Sequence, residues 1–195
     1  HKLEYEKTFW PFILFSKKRY IGNKYEFKTG EYDYKQTSMG VVSKRRDNAE
    51  IVKHALIRDY SFFCWLEKNS TKLFNLNKSI LEKAIYKSIM IKLYYVKKDE
   101  KELLLNSNSR AMLNFGHTIG HAIESHYNFK KLNHGEAISI GMITEAKISN
   151  YLDLLSDSEL ERIINHFKNN GLKVFDKILL SKSIIKQLTK DKKNY

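Results

Sequence analysis

The chain has 195 residues, 42 % hydrophobic and 29 % charged, a composition that fits a globular protein with a sizeable core in one ordinary domain or two small ones. No run of about 18 apolar residues occurs, which excludes a membrane-spanning helix, and the single cysteine, Cys64, excludes an internal disulfide framework and suits a reducing, cytoplasmic compartment. The net charge of +13 is spread along the chain, with no basic run longer than Lys17-Lys18-Arg19 or Lys44-Arg45-Arg46, so it reads as a general basic bias rather than a nucleic-acid surface.

Residues 1–48 hold aromatic and β-branched runs broken by turn residues. Thr8 to Phe15, Arg19-Tyr20-Ile21 and Lys24 to Phe27 read as short strands around Gly22-Asn23, and residues 38–42 as another. From Ala49 onward the pattern becomes helical. Leu81, Ile85, Ile89, Lys92 and Val96 step along one helix face, with Asn77 as its cap. Ser156 to Glu159 offers a capping box, and Gly171 closes the helix that follows. The fold class is therefore mainly α: a small β-rich arm, residues 1–48, ahead of a helical domain, residues 49–195.

The densest chemical signal runs from Arg110 to Glu124. Read as one helix, Arg110, Asn114, His117 and His121 fall at i, i+4, i+7 and i+11 and share a stripe. Gly116 and Gly120 each cost about 1 kcal/mol of helix propensity relative to alanine, a loss that makes sense if a neighbouring backbone must approach closely. A solvated face would more naturally carry lysine and glutamate. His117 and His121 on one side of a helix can chelate zinc, but two ligands do not make a site. His134 and Glu50 are the candidates for the rest, and spacing alone leaves open which three of Glu50, His117, His121 and His134 would hold a metal. Glu50 and Lys53 share one face of the first helix, whereas His54 reads as an ordinary surface or core histidine. Lys92 interrupts an apolar face and either snorkels to the surface or converges with Lys53 and Arg110 on an anionic group. Cys64, between Phe63 and Trp65, reads as a core residue, with no adjacent basic residue in sequence to activate its thiol.

The stretch Leu113-Asn114-Phe115-Gly116-His117-Thr118-Ile119-Gly120-His121-Ala122-Ile123-Glu124 closely resembles the signature of the 3-dehydroquinate synthase family. So do Leu132-Asn133-His134-Gly135-Glu136-Ala137, Ala49 to Ile57, and the later Lys190-Asp191-Lys192-Lys193. The resemblance runs in the family's order from about Ala49 to the end and implies the family's all-helical C-terminal domain. It implies conversion of a phosphorylated seven-carbon keto acid into 3-dehydroquinate, in the shikimate pathway, with NAD as hydride carrier. It also implies zinc, or a similar divalent metal, held by Glu50, His117 and His134, with His121 and Lys53 as catalytic groups beside it. Lys92, Arg110, Asn114 and Lys192 would bind substrate, Lys192 or its neighbour Lys193 facing the phosphate, and a homodimer is implied as well. The segment between Lys92 and Arg110 is longer than the family's usual link.

No glycine-rich dinucleotide turn follows a strand anywhere in the chain, which starts at His1 and reads as a fragment. The expectation is metal and substrate groups without an NAD-binding domain, inactive alone. Residues 1–48 resemble a different family. Lys17-Lys18-Arg19-Tyr20-Ile21-Gly22-Asn23 and Ser38-Met39-Gly40-Val41-Val42 look like the palm of a family B DNA polymerase, without its two metal-binding aspartates. A nucleic-acid-binding fragment of that origin is the alternative function, and the arm is expected to be dispensable for the helical domain and weakly packed on it.

Overall fold

A computed structural model describes residues 38–190, with side chains from residue 48 onward. The predicted strands before residue 38, and Lys192 and Lys193, lie outside the described residues. Seven α-helices occur among the described ones: α1 (Ser38–Arg58), α2 (Tyr60–Phe74), α3 (Lys78–Lys98), α4 (His117–His126), α5 (His134–Tyr151), α6 (Asp157–Asn169) and α7 (Lys182–Lys190). Two 3-10 turns, Arg110–Asn114 and Lys177–Leu180, complete the order.

Two helices are buried nearly all round and organise the rest. In α1, every residue from Ile51 to Ile57 is buried, including Lys53 and His54. In α5, the run from Gly135 to Ile143 is likewise buried. Helices α2, α3 and α6 pack around them with Phe62, Phe63, Leu66, Tyr95, Ile163 and Phe167, while α4 and α7 close a second cluster through Ile119, Ile123, Ile140 and Ile184. The helix ends follow their sequence signals. Asn77 accepts from the Ile80 amide, Ser156 and Glu159 form a reciprocal capping box, and Gly171 takes a positive φ of 64° just past α6.

Two expectations fail here. Residues 38–42, read as a strand, are the first turns of α1. No strand lies among the described residues to pair with them, whereas continuing α1 satisfies their backbone internally. The predicted face of α3 is also rotated: the buried stripe is Ala84, Ser88, Ile91 and Tyr95, and Ile89 and Lys92 are exposed. Polar partners in α1 choose the face. Ser88 Oγ lies 2.6 Å from buried His54 Nδ1, and the Tyr95 hydroxyl donates to the Ile57 carbonyl at 3.1 Å. A buried histidine without that partner would be costly, so the less apolar side of α3 turns inward.

Candidate metal centre

The residues read as one helical stripe are carried on two elements. Arg110–Asn114 form a 3-10 turn, Phe115 and Gly116 make a further turn, and Gly116 adopts φ 78° before α4 begins at His117. Gly116 is needed twice over: an L side chain there would be strained, and its Cβ would meet Met142 Cγ at 2.5 Å and the Ile138 carbonyl at 2.8 Å. Gly120 lies against Ile138 in the same way, and a Cβ on Gly141 would overlap the Gly116 carbonyl. The glycines thus buy the close approach of α4 to α5, which carries His134 to the flank of His117. Their rings lie 5.5 Å apart between centroids.

From α1, Glu50 reaches the same point. Ligand atoms of Glu50, His117 and His134 all fall within 4.8 Å of one another, and His117 Nε2 is 3.7 Å from Glu50 Oε1. Each imidazole is oriented through its other nitrogen: His117 Nδ1 donates to the Phe115 carbonyl at 3.2 Å, and His134 Nδ1 to Glu124 Oε1 at 3.1 Å. Nε2 of both rings is therefore left for a ligand, the arrangement in which outer partners fix the tautomer of metal-binding histidines. Glu50 Oε1 is buried and has no hydrogen-bond partner, while Oε2 accepts from Lys53 Nζ at 2.7 Å. One carboxylate oxygen and two imidazole nitrogens suit a divalent ion such as zinc with one position left open.

Charge at the site is unevenly shared. Burial by itself would raise the Glu50 carboxyl, but Lys53 and His117 hold it down at about 2. Burial lowers the Lys53 ammonium, against the pull of Glu50. His117 is lowered to about 3 by burial and by Lys53, and His54 to about 3 by the same two causes. His121 stands at the more open edge, 41 % exposed, with Nε2 4.0 Å from Glu124 Oε2. Glu124 thus faces two imidazoles, and His121, Glu124 and His134 form a second group with metal-ligand spacing.

The remaining candidates are spread around this centre. Lys92 is exposed on α3, yet its charge is felt at Lys53 and His54. Asn114 is half-buried at the end of the 3-10 turn. Arg110 is turned elsewhere, its Nε 3.1 Å from Glu102 Oε1 and its Nη1 donating to the Glu100 carbonyl. The long segment before it is tied off by Asp99, which sequence reading missed. Asp99 accepts from the Leu103, Leu104 and Arg110 amides and from the Ser109 hydroxyl. Cys64, expected in the core, is half-buried and takes a hydrogen bond from Arg162 Nη2 at 3.0 Å, a base brought from α6 and invisible in local sequence. Arg162 lines an open groove of about 740 Å³ with Glu67 and His166, none of whose lining residues belongs to the Glu50–His117–His134 group, and it is already engaged by Glu67 and Tyr60.

Glu145, on α5, lies beneath the Gly116 turn. Its Oε2 accepts from the Gly116 amide at 2.9 Å, its Oε1 has no partner, and burial pushes the carboxyl up to about 8. In metal-stripped protein this sets the alkaline limb of stability. Between 4.5 and about 8 the folded chain holds a proton at Glu145 that the unfolded chain releases, so stability falls with rising pH. His54, His117 and His166, lowered from 6.5 to about 3, 3 and 4, do the opposite: below 6.5 the unfolded chain takes up protons the folded one refuses, and acid destabilises. Three groups outweigh one, so urea midpoints should peak near neutrality and fall on both sides. Glu145→Gln should flatten the fall between 6.5 and about 8, worth about 2 kcal/mol, and steepen the acid limb between 4.5 and 6.5. An unchanged alkaline limb would show that Glu145 ionises freely.

Residues 48–194 match the family described as 3-dehydroquinate synthase C-terminal. The chain is 45 % identical over 147 residues to a 3-dehydroquinate synthase of Thermodesulfovibrio yellowstonii, covering 75 % of this chain and 40 % of that protein. It is 41 % identical over 146 residues to one from Vibrio atlanticus, covering 74 % and 39 %. The chain thus spans about two fifths of the length of the curated relatives it matches. Among solved structures, a 2-epi-5-epi-valiolone synthase from Streptomyces hygroscopicus, with NAD+ and Zn2+ bound, shares the fold with a TM-score of 0.69 at 22 % identity, over 79 % of this chain and 42 % of that one.

Proposed function

Because the chain belongs to the 3-dehydroquinate synthase C-terminal family, we propose that its helical part is the metal- and substrate-holding portion of a 3-dehydroquinate synthase. The observation that supports this best is the convergence of Glu50, His117 and His134, from three separate helices, around a buried carboxylate oxygen with no other partner. A zinc ion held by these three would polarise the substrate hydroxyl that is oxidised. Lys53 keeps Glu50 ionised and oriented toward the imidazoles. Glu124 orients His134, and His121, at the open edge, is suited to exchange a proton with the departing phosphate. Lys92, Asn114 and Arg110 would hold the carboxylate and hydroxyl groups of a phosphorylated seven-carbon keto acid, Arg110 after release from Glu102, with Lys192 toward the phosphate. Hydride transfer needs NAD held against the same carbon, so turnover is expected only when a nicotinamide-binding partner domain is supplied. We attribute no part of this to residues 1–48. The alternative of a polymerase-derived nucleic-acid fragment rests on the wording of that segment alone, which carries none of these donors. A cytoplasmic location and a homodimer belong to the same proposal. Among the described residues, no helix is long and apolar enough to cross a membrane.

Zinc titration of the chelator-stripped chain tests the reading. One equivalent should bind. Glu50→Gln and His117→Ala should each weaken binding by about a hundredfold or more, and Glu124→Gln by ~10–100-fold through the mis-set His134 ring. His126→Ala, at the far end of α4, serves as the control. Zinc held equally well by Glu50→Gln and His117→Ala would remove the proposed centre.

A further inference from the structure

The Phe115–Gly116 peptide group is held from both sides. Phe115 has φ −52° and ψ 124°, and Gly116 has φ 78° and ψ −14°, the angles of a type II turn from Asn114 to His117. The central carbonyl of that turn, on Phe115, accepts from His117 Nδ1 at 3.2 Å. The N–H of the same peptide group, on Gly116, donates to Glu145 Oε2 at 2.9 Å. A trans peptide points its carbonyl and its N–H in opposite directions, so neither bond can turn without the other.

Glycine permits this turn without selecting it. Rotating the central peptide by about half a turn gives a type I turn, in which Gly116 would take a negative φ that suits it equally. The flipped carbonyl would face away from His117 Nδ1, and the ring would lose the partner that leaves its Nε2 bare for an ion. The bonds at the two ends of the peptide therefore oppose the flip, and at the N–H end that bond is to Glu145. Glu145 is 2 % exposed, and its other oxygen is buried without a partner. A buried carboxyl with one hydrogen bond is costly, and such an exception to burial fits a role at the site. We propose that Glu145 is a positioning residue for the metal centre: through the Phe115–Gly116 peptide it fixes the tautomer and the direction of the His117 ring. Helix α5 then sets both imidazoles. It carries His134 as its first residue and, about three turns further on, holds the peptide that orients His117. Glu124 does for His134 directly what Glu145 does for His117 through one peptide group.

The inference rests on the reading of His117 as a ligand, so its test has one arm in zinc-free protein. Nitrogen NMR of the isotope-labelled, chelator-stripped chain should show His117 as the Nδ1–H tautomer in the parent. Glu145→Gln should keep that tautomer, because its side-chain carbonyl still accepts from Gly116. Glu145→Met keeps the volume and removes the acceptor, and Glu145→Asp withdraws it by one methylene with less disturbance of the fold. In both, His117 should become a mixture of tautomers, and zinc should bind about tenfold or more weakly. The visible absorption of the cobalt-loaded chain should shift in the same two variants and not in Glu145→Gln. Phe167→Leu, a change to a fully buried core residue on α6, should lower the thermal midpoint and leave tautomer, affinity and spectrum unchanged. A His117 tautomer unchanged in Glu145→Met and Glu145→Asp, or zinc held as tightly by them as by Glu145→Gln, would overturn the proposal. A parent chain that binds no zinc would instead overturn the reading it rests on.

Discussion

Gly141→Ala is expected to lower the thermal midpoint of the helical domain by about 10 °C or more. The added methyl would occupy the position of the Gly116 carbonyl oxygen, and backbone also surrounds it at Gly120. Neither neighbour is a flexible side-chain tip that could swing aside. Helices α4 and α5 must separate, which costs ~3 kcal/mol or more by overpacking out of a total stability of ~5–15 kcal/mol for a domain of this kind. The metal centre should fail with the fold, because His117 and His134 sit on the two helices being forced apart. Gly171→Ala is the comparison, since its Cβ would meet nothing within 4 Å; it carries only the strain of its positive φ. Its cost should be about 1 kcal/mol. Calorimetry of the two variants separates a packing requirement from a conformational one, and a cooperative Gly141→Ala transition near that of the parent would refute the close approach.

Glu50→Ala, measured in chelator-stripped protein, should cost ~3–5 kcal/mol by leaving the Lys53 ammonium buried and unpaired. Lys53 is 2 % exposed, and Glu50 is its ion-pair partner at 2.7 Å. The reverse change, Lys53→Met, should cost less, because Glu50 keeps partial contact with solvent, and a methionine can fill the space left by the lysine stem. The double variant should recover most of the loss from Glu50→Ala. Urea unfolding of the set closes the cycle; a Glu50→Ala loss below ~1 kcal/mol would mean that Lys53 reaches water by an alternative rotamer. A stability defect in the apoprotein is also what sets this pair apart from the imidazoles: Glu50 would serve the fold and the proposed ligand set at once.

What was legible in the sequence divides along a physical line. Caps and glycines act within a few residues, so Asn77, the Ser156–Glu159 box and the closing Gly171 could be read directly. The demand for a close backbone approach at Gly116 and Gly120 was legible as well, but its source was not. The overlapping atoms belong to Ile138, Gly141 and Met142, on another helix. The same limit hid Glu124, whose i,i+3 relation to His121 is visible in the chain but whose tighter contact is with His134. It hid Arg162 from Cys64, 98 positions away. The continuous stripe from Arg110 to His121 failed for a local reason. One glycine with a positive φ ends a 3-10 turn and starts α4 on a new axis, and periodicity cannot count across such a break. The face of α3 failed for the opposite reason. Apolar residues lie on more than one side of the helix, so the period alone gave several answers, and the polar demands of His54 selected among them.

His117 and His134 are the first residues of α4 and α5, so two helices aim their amino ends at one point. Each contributes a partial positive charge there, and α4 has no side chain capping its first turn. Lys53 and Lys92 add to the same field. A cation entering this cleft is opposed by the background potential and must be held by short, directional donors and by the negative charge of Glu50. An anion on the ion's open side is favoured by both helix ends and both lysines as well as by the ion. Each ligand therefore lowers the other's electrostatic cost, and by linkage the factor by which an anion tightens zinc is the factor by which zinc tightens the anion.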